Sequence, residues 1–126
     1  MANIVLIDEK KGRRSVSRQL LGTRHSVYEA SDPGLVIEMV NRNFNSLKID
    51  AIMINRQVAK IYEGDAITHF RATYPDVPLI VILDSPDTAL AIDYLEIGVK
   101  DILIKPIERK TLLNSLDKVD GRVVSN

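Results

Sequence analysis

Cysteine is absent from this chain of 126 residues, so there is neither a disulfide framework nor a thiolate metal site. Net charge is absent as well, because 17 basic residues balance 17 acidic ones. No global field therefore draws the chain to nucleic acid or to an anionic membrane, and any partner must be chosen by a local surface. Long apolar runs are missing too. The longest, Val77 to Leu83, is broken by Pro78 and falls far short of a membrane span. The opening Met1-Ala2-Asn3-Ile4-Val5-Leu6-Ile7-Asp8 meets charge too early for a signal peptide, and the expected location is cytoplasmic.

What is present is a large aliphatic content: 45% of residues are hydrophobic, enough for one globular core. Five short apolar runs recur, at Ile4–Ile7, Ser26–Glu29, Ala51–Ile54, Leu79–Leu83 and Ile102–Ile104. All but the second are nearly continuous in Val, Ile, Leu and Met rather than alternating, as strands covered on both faces are. The second is weaker and reads as a strand nearer an edge. Helical spacing fills the intervals: Val16 with Leu20, Leu35 with Met39, Val36 with Val40, then Ile67, Phe70 and Tyr74, and last Leu112, Leu113 and Leu116. Asp32-Pro33 and Ser85-Pro86 each place a capping side chain before a proline at the first helical position. Gly98 stands where the fourth helix needs a left-handed residue to end it. Strand and helix alternate five times, which predicts an α/β, doubly wound parallel sheet with helices on both faces. Residues 1–119 form the domain on this reading. The tail from 120 to 126 loses periodicity and reads as a frayed end or the start of a linker.

In open parallel sheets, function sits beyond the carboxyl ends of the strands. The residues following the apolar runs there are Asp8 and Glu9, Asn55, Asp84 and Lys105. Each alone would be an ordinary solvated strand end; together they bring acid, amide and amine to one edge. Val5-Leu6-Ile7-Asp8-Glu9, Asp50-Ala51-Ile52-Met53-Ile54-Asn55 and Gly98-Val99-Lys100-Asp101-Ile102-Leu103-Ile104-Lys105-Pro106 resemble the receiver domains of two-component response regulators. The resemblance covers about residues 3 to 119. It implies a flavodoxin-like (βα)5 fold with strand order 2-1-3-4-5 and a role in phosphorelay signalling rather than catalysis. It also assigns positions: Asp8 and Glu9 as the acids that hold Mg²⁺, Lys105 as the lysine that stabilises phosphoryl charge, and Lys105-Pro106 as a cis peptide.

Three positions depart from that pattern. Asn55 stands where the family carries its phosphorylated aspartate, and a neutral amide is a poor nucleophile. Leu83 stands where a Ser or Thr bonds the phosphoryl group, and Ile102 where an aromatic residue changes rotamer on activation. Neither aliphatic chain can donate a hydrogen bond. With acceptor, hydroxyl and switch all lost, the expectation is a degenerate receiver that acts by protein contact, independently of phosphate. Mg²⁺ binding should be weak, because a carboxylate is gone. The loop Arg56-Gln57-Val58-Ala59-Lys60 lacks the family's Met-Pro pair, and Gly64 falls one residue late.

Two alternatives stand beside this reading. One is a conventional receiver phosphorylated by a histidine kinase at Asp84, or at position 55 after deamidation of Asn55. The other is a flavodoxin-like cofactor enzyme, but Asp8-Glu9-Lys10-Lys11-Gly12 would repel a phosphate and no glycine-rich phosphate loop is present, so neither flavin nor nucleotide is expected. The expected partner is a histidine kinase, an effector domain or a second copy as a homodimer. It would dock on the face of the fourth helix, fifth strand and fifth helix, with Tyr94, Lys100 and Asp101 as interface candidates. The cluster Lys10, Lys11, Arg13 and Arg14 reads as a solvated helix face rather than a nucleic-acid site, although Lys10 or Lys11 could lean toward Asp8 and Glu9. His25 and His69 have no ligand-spaced partner, and Asn41, Asn43 and Asn45 read as turn residues.

Overall fold

Near-continuous β-branched and leucine runs become strands here because helices cover both faces of the sheet they build. The computed structural model describes residues 2–23, 25–32, 34, 38, 42, 48–59 and 66–120, with backbone alone at 10–15 and 120. In chain order its elements are β1 (Asn3–Ile7), α1 (Lys10–Leu21), β2 (Ser26–Ala30), β3 (Ala51–Asn55), α2 (Arg56–Ala59), α3 (Ala66–Thr73), β4 (Leu79–Leu83), α4 (Thr88–Glu96), β5 (Asp101–Ile104) and α5 (Arg109–Asp120). The five strands form one parallel sheet in the order β2-β1-β3-β4-β5. The weakest apolar run, β2, is an edge strand, where only one neighbour is needed.

Strand alternation sends side chains to opposite faces. Val5, Ile7, Ile52, Ile54, Val81 and Leu83 pack with Val58, Ile67, Phe70 and Tyr94, under α2, α3 and α4. Ile4, Leu6, Met53, Ile80, Ile82 and Leu103 pack with Val16, Leu20, Leu112 and Leu116, under α1 and α5. The spacings Val16–Leu20, Ile67–Phe70 and Leu112–Leu116 are thus buried stripes of α1, α3 and α5, with Tyr74 buried just past the end of α3. Each fully buried Ile or Leu contributes roughly 1.5–3 kcal/mol, so this double-sided burial is what holds the sheet.

Helix ends refine the reading of the turns. Asp32 Oδ1 accepts the N–H of Gly34 at 2.8 Å, as a capping residue does. Pro33, the pairs Leu35–Met39 and Val36–Val40, the three asparagines 41, 43 and 45, Lys60, Gly64 and the tail 121–126 lie outside the described residues. Ser85-Pro86 does not open the fourth helix. The cap is Asp87, whose side chain accepts the N–H of Leu90 at 3.0 Å, and α4 begins at Thr88. An ionised acid makes the stronger, charge-assisted bond to the free N–H groups and shifts the start beyond the proline. Gly98 does close the helix, with φ +105°, and a Cβ there would collide with the Arg71 guanidinium. Only glycine meets both demands.

Candidate functional site

Parallel strands all end at the same edge of the sheet, and there the structure assembles Asp8, Lys105, Asp84 and Asn55 into one bonded series. Asp8 follows β1 and is completely buried. Its Oδ1 accepts the N–H of Glu9 at 2.8 Å and the ammonium of Lys105 at 3.1 Å, while Oδ2 is buried without a hydrogen-bond partner. Burial pushes the Asp8 carboxyl above its ordinary value, and the bond and charge of Lys105 offset this only in part. Glu9, by contrast, is exposed and starts α1 without a side-chain capping bond.

Lys105 reaches back from the end of β5, where its peptide bond to Pro106 is cis. Its Nζ lies 3.1 Å from Asp8 and 3.3 Å from Oδ1 of Asp84, with its side chain 23% exposed. Burial pulls the ammonium downward, but its bonds to Asp8 and Asp84 outweigh that and leave it above its ordinary value. Lys105 is therefore a fixed cation between two acids.

Asn55 ends β3 and is completely buried. Its Oδ1 accepts the N–H groups of Gln57 at 2.8 Å and Val58 at 3.3 Å, so the amide caps the first turn of α2. Its Nδ2 donates to Oδ1 of Asp84 at 3.0 Å. The two ends of the amide are thereby told apart: backbone donors require the oxygen, and a carboxylate requires the nitrogen. Asp84, with its side chain 38% exposed, joins Asn55 on β3 to Lys105 just after β5.

The two positions expected to have lost the switch are both hydrocarbon in surroundings as well as in kind. Leu83 is buried and Ile102 partly buried in the one apolar cluster beneath α4. Tyr94 corrects the expectation of an interface residue: at 4% exposure it belongs to that same core, because its position on α4 faces the sheet. The apolar surface of that side is made instead by Ile92, Leu95, Ile97 and Ile104. Lys100 is exposed, and Asp101 is partly buried and paired with Lys118 of α5 at 3.5 Å.

The sequence brought Asp8, Asn55, Asp84 and Lys105 to one edge but missed the direct bond between Asn55 and Asp84. Its signal is an amide where an acid is usual, with an acid at the end of the neighbouring strand. His25 Nδ1 accepts the N–H of Ala2 at 3.1 Å, a contact between segments far apart in sequence, and His69 Nε2 lies 3.4 Å from Thr73 Oγ1, one helical turn away. The side chains of Lys10, Lys11, Arg13 and Arg14 lie outside the described residues. Among the described residues no group of three or more His, Asp or Glu is arranged to hold a metal ion, and no helix is long and apolar enough to cross a membrane. A cleft of about 270 Å³, lined by residues such as Ile4, His25, Asp50 and Leu116, opens at the opposite end of the sheet, away from this site.

Residues 4–117 match the family model of the response regulator receiver domain. No curated protein sequence matches the chain. Among solved structures, a response regulator receiver domain protein from Clostridium thermocellum is similar with a TM-score of 0.83 and 22% identity, covering 98% of each chain. The chemotaxis response regulator CheY4 of Vibrio cholerae gives 0.78 and 20%, over 94% of this chain and 98% of its own. NtrX from Brucella abortus gives 0.79 and 19%, over 99% of this chain but 30% of its own.

Proposed function

The chain belongs to the response regulator receiver family, and from that membership we propose that it is a receiver whose signalling runs on protein contacts without phosphate. The observation that carries this is the double commitment of Asn55. Its oxygen caps α2 and its nitrogen is bonded to Asp84, so nothing at position 55 is free to attack a phosphoryl group. An amide nitrogen is in any case a poor nucleophile, its lone pair being delocalised into the carbonyl.

The metal that such sites hold has a partial donor set here. Asp8 Oδ2 is a buried acceptor without a partner, and Glu9 offers a second acid; these two would hold a divalent cation weakly. When bound, it would supply neutralising charge for phosphoryl oxygens. Lys105 bridges the carboxylates of Asp8 and Asp84 and offsets their negative charge.

The docking face we propose is α4, β5 and α5, for a histidine kinase, an effector domain or a second copy of the chain. Ile92, Leu95, Ile97 and Ile104 support it, as exposed apolar side chains on or beside α4 and β5. Lys100 and the Asp101–Lys118 pair supply a polar border. A second reading, phosphoryl transfer to Asp84, draws on one observation: that carboxylate is 38% exposed, with Lys105 3.3 Å away. Against it stands the engagement of its Oδ1 by both Asn55 and Lys105.

Beryllium fluoride with Mg²⁺ tests the proposal, because this phosphoryl mimic needs an acceptor carboxylate. The amide spectrum of the protein is expected to stay unchanged, while Asn55→Asp responds locally. A response of the unaltered protein at the ends of β3 and β4 would overturn the reading.

A further inference from the structure

The bond between Asn55 and Asp84 exists only because the amide and the acid stand where they do. With a carboxylate at position 55, two negative charges would face each other across 3.0 Å. With the amide there, Asp84 is held at one oxygen by a donor from β3 and by the Lys105 ammonium from β5. Asp84 itself is the first residue of the connection from β4 to α4, whose residues 84–87 are all exposed. Three residues later Asp87 caps α4. An otherwise solvent-facing connection is thus tied down at its first residue by two strands and at its last by the helix it begins.

Resting on the proposal that position 55 takes no phosphate, we infer that Asp84 is a latch. Its carboxylate, bonded to Asn55 and Lys105, fixes the β4–α4 connection and the start of α4 in one arrangement without any added group. Asp84 is a positioning residue in this device. It acts on the docking face through α4, whose exposed Ile92 and Leu95 it holds in a constant placement. With an amide at position 55 and an acid at position 84, the ammonium of Lys105 sits between two carboxylates, Asp8 and Asp84. Charge-assisted bonds of this kind are the stronger class of hydrogen bond, and a connection with little other burial depends on them.

Native-state amide exchange on the full chain, with chelator and no phosphodonor, reads the latch at the Leu90 and Ala91 amides that open α4. Asp84→Ala should speed their exchange about tenfold relative to the amides of β2. Asn55→Asp alone should do the same, through repulsion rather than loss. Exchanging the roles, Asn55→Asp with Asp84→Asn, keeps the net charge and lets an amide at 84 donate to an acid at 55, so exchange should return close to the unaltered rate. Unchanged exchange in Asp84→Ala, or a double variant no slower than Asn55→Asp, would overturn the latch. Phosphate incorporation at position 55 is a separate readout, so failure of the latch and failure of the phosphate-independent reading are distinguishable.

Discussion

The ammonium of Lys105 lies 3.1 Å from Oδ1 of Asp8, a carboxylate with no exposure to solvent. A buried charge that loses its partner is left uncompensated, and the penalty is larger than for any surface pair. Lys105→Met should therefore destabilise the fold by about 2–3 kcal/mol near neutral pH, below the full buried-pair figure because the lysine is partly exposed. Asp8→Asn, which removes the buried charge and keeps a hydrogen-bonding group, should cost less than about 1 kcal/mol or stabilise. Urea unfolding of the three proteins checks the order, and equal losses in both variants would contradict it.

The pH dependence follows from the directions of the two shifts. Asp8 is raised above its ordinary 3.8, so the folded state holds its proton longer than the unfolded chain does. Stability from this group therefore falls as pH rises from 3.8 through the folded value. The difference in stability between the unaltered protein and Asp8→Asn, followed by urea midpoints from acid to neutral pH, should move against the unaltered protein across that window. Lys105 is raised above 10.5, so its contribution is complete below 10.5 and lost as pH climbs through the folded value. The deficit of Lys105→Met should accordingly shrink in strongly alkaline solution.

Asn55 has two jobs that substitution can separate. Asn55→Ala removes both the cap of α2 and the donor to Asp84, and should cost about 1–3 kcal/mol. Asn55→Asp keeps the cap oxygen but loses the donor, and it adds a third carboxylate beside Asp8 and Asp84. Mg²⁺ should then bind about tenfold more tightly, measured by calorimetry, since ligand charge tunes affinity. Phosphorylation should return only weakly and the conformational response hardly at all, because Leu83 and Ile102 still fill the switch region with hydrocarbon. Full activation by that single change would show those two positions to be unimportant.

Gly98→Ala should destabilise by about 1–3 kcal/mol, combining a positive φ with a clash against Arg71. Urea unfolding measures it. The loss should be partly recovered when Arg71→Ala is added, because only the steric share depends on that side chain.

Most of the fold was legible because strand runs and helical stripes are properties of burial, and burial is written in residue type. Ile4–Ile7 and Leu79–Leu83 could hardly be anything but covered strands, and the glycine at 98 announced the end of α4. The start of that helix differs from the sequence expectation because Ser85-Pro86 offers the same local signal as Asp87, and only the three-dimensional path of the loop decides which side chain reaches a free N–H. Tyr94 was misplaced for a related reason: helical position alone does not say which side of α4 meets the sheet. At the rim, the identities of Asp8, Asn55, Asp84 and Lys105 were readable from the ends of the strands. Their pairing was not. That Asn55 donates to Asp84, rather than to solvent, depends on strand order and on the rotation of each side chain.

Intact mass after incubation with acetyl phosphate and Mg²⁺ bears most directly on the claim that this receiver works without phosphate. The mass of undeamidated protein should remain that of the unmodified chain, under conditions where a receiver with an acceptor aspartate gains one phosphoryl group. Stoichiometric addition of a phosphoryl group, mapped to Asn55 or to Asp84, would contradict it.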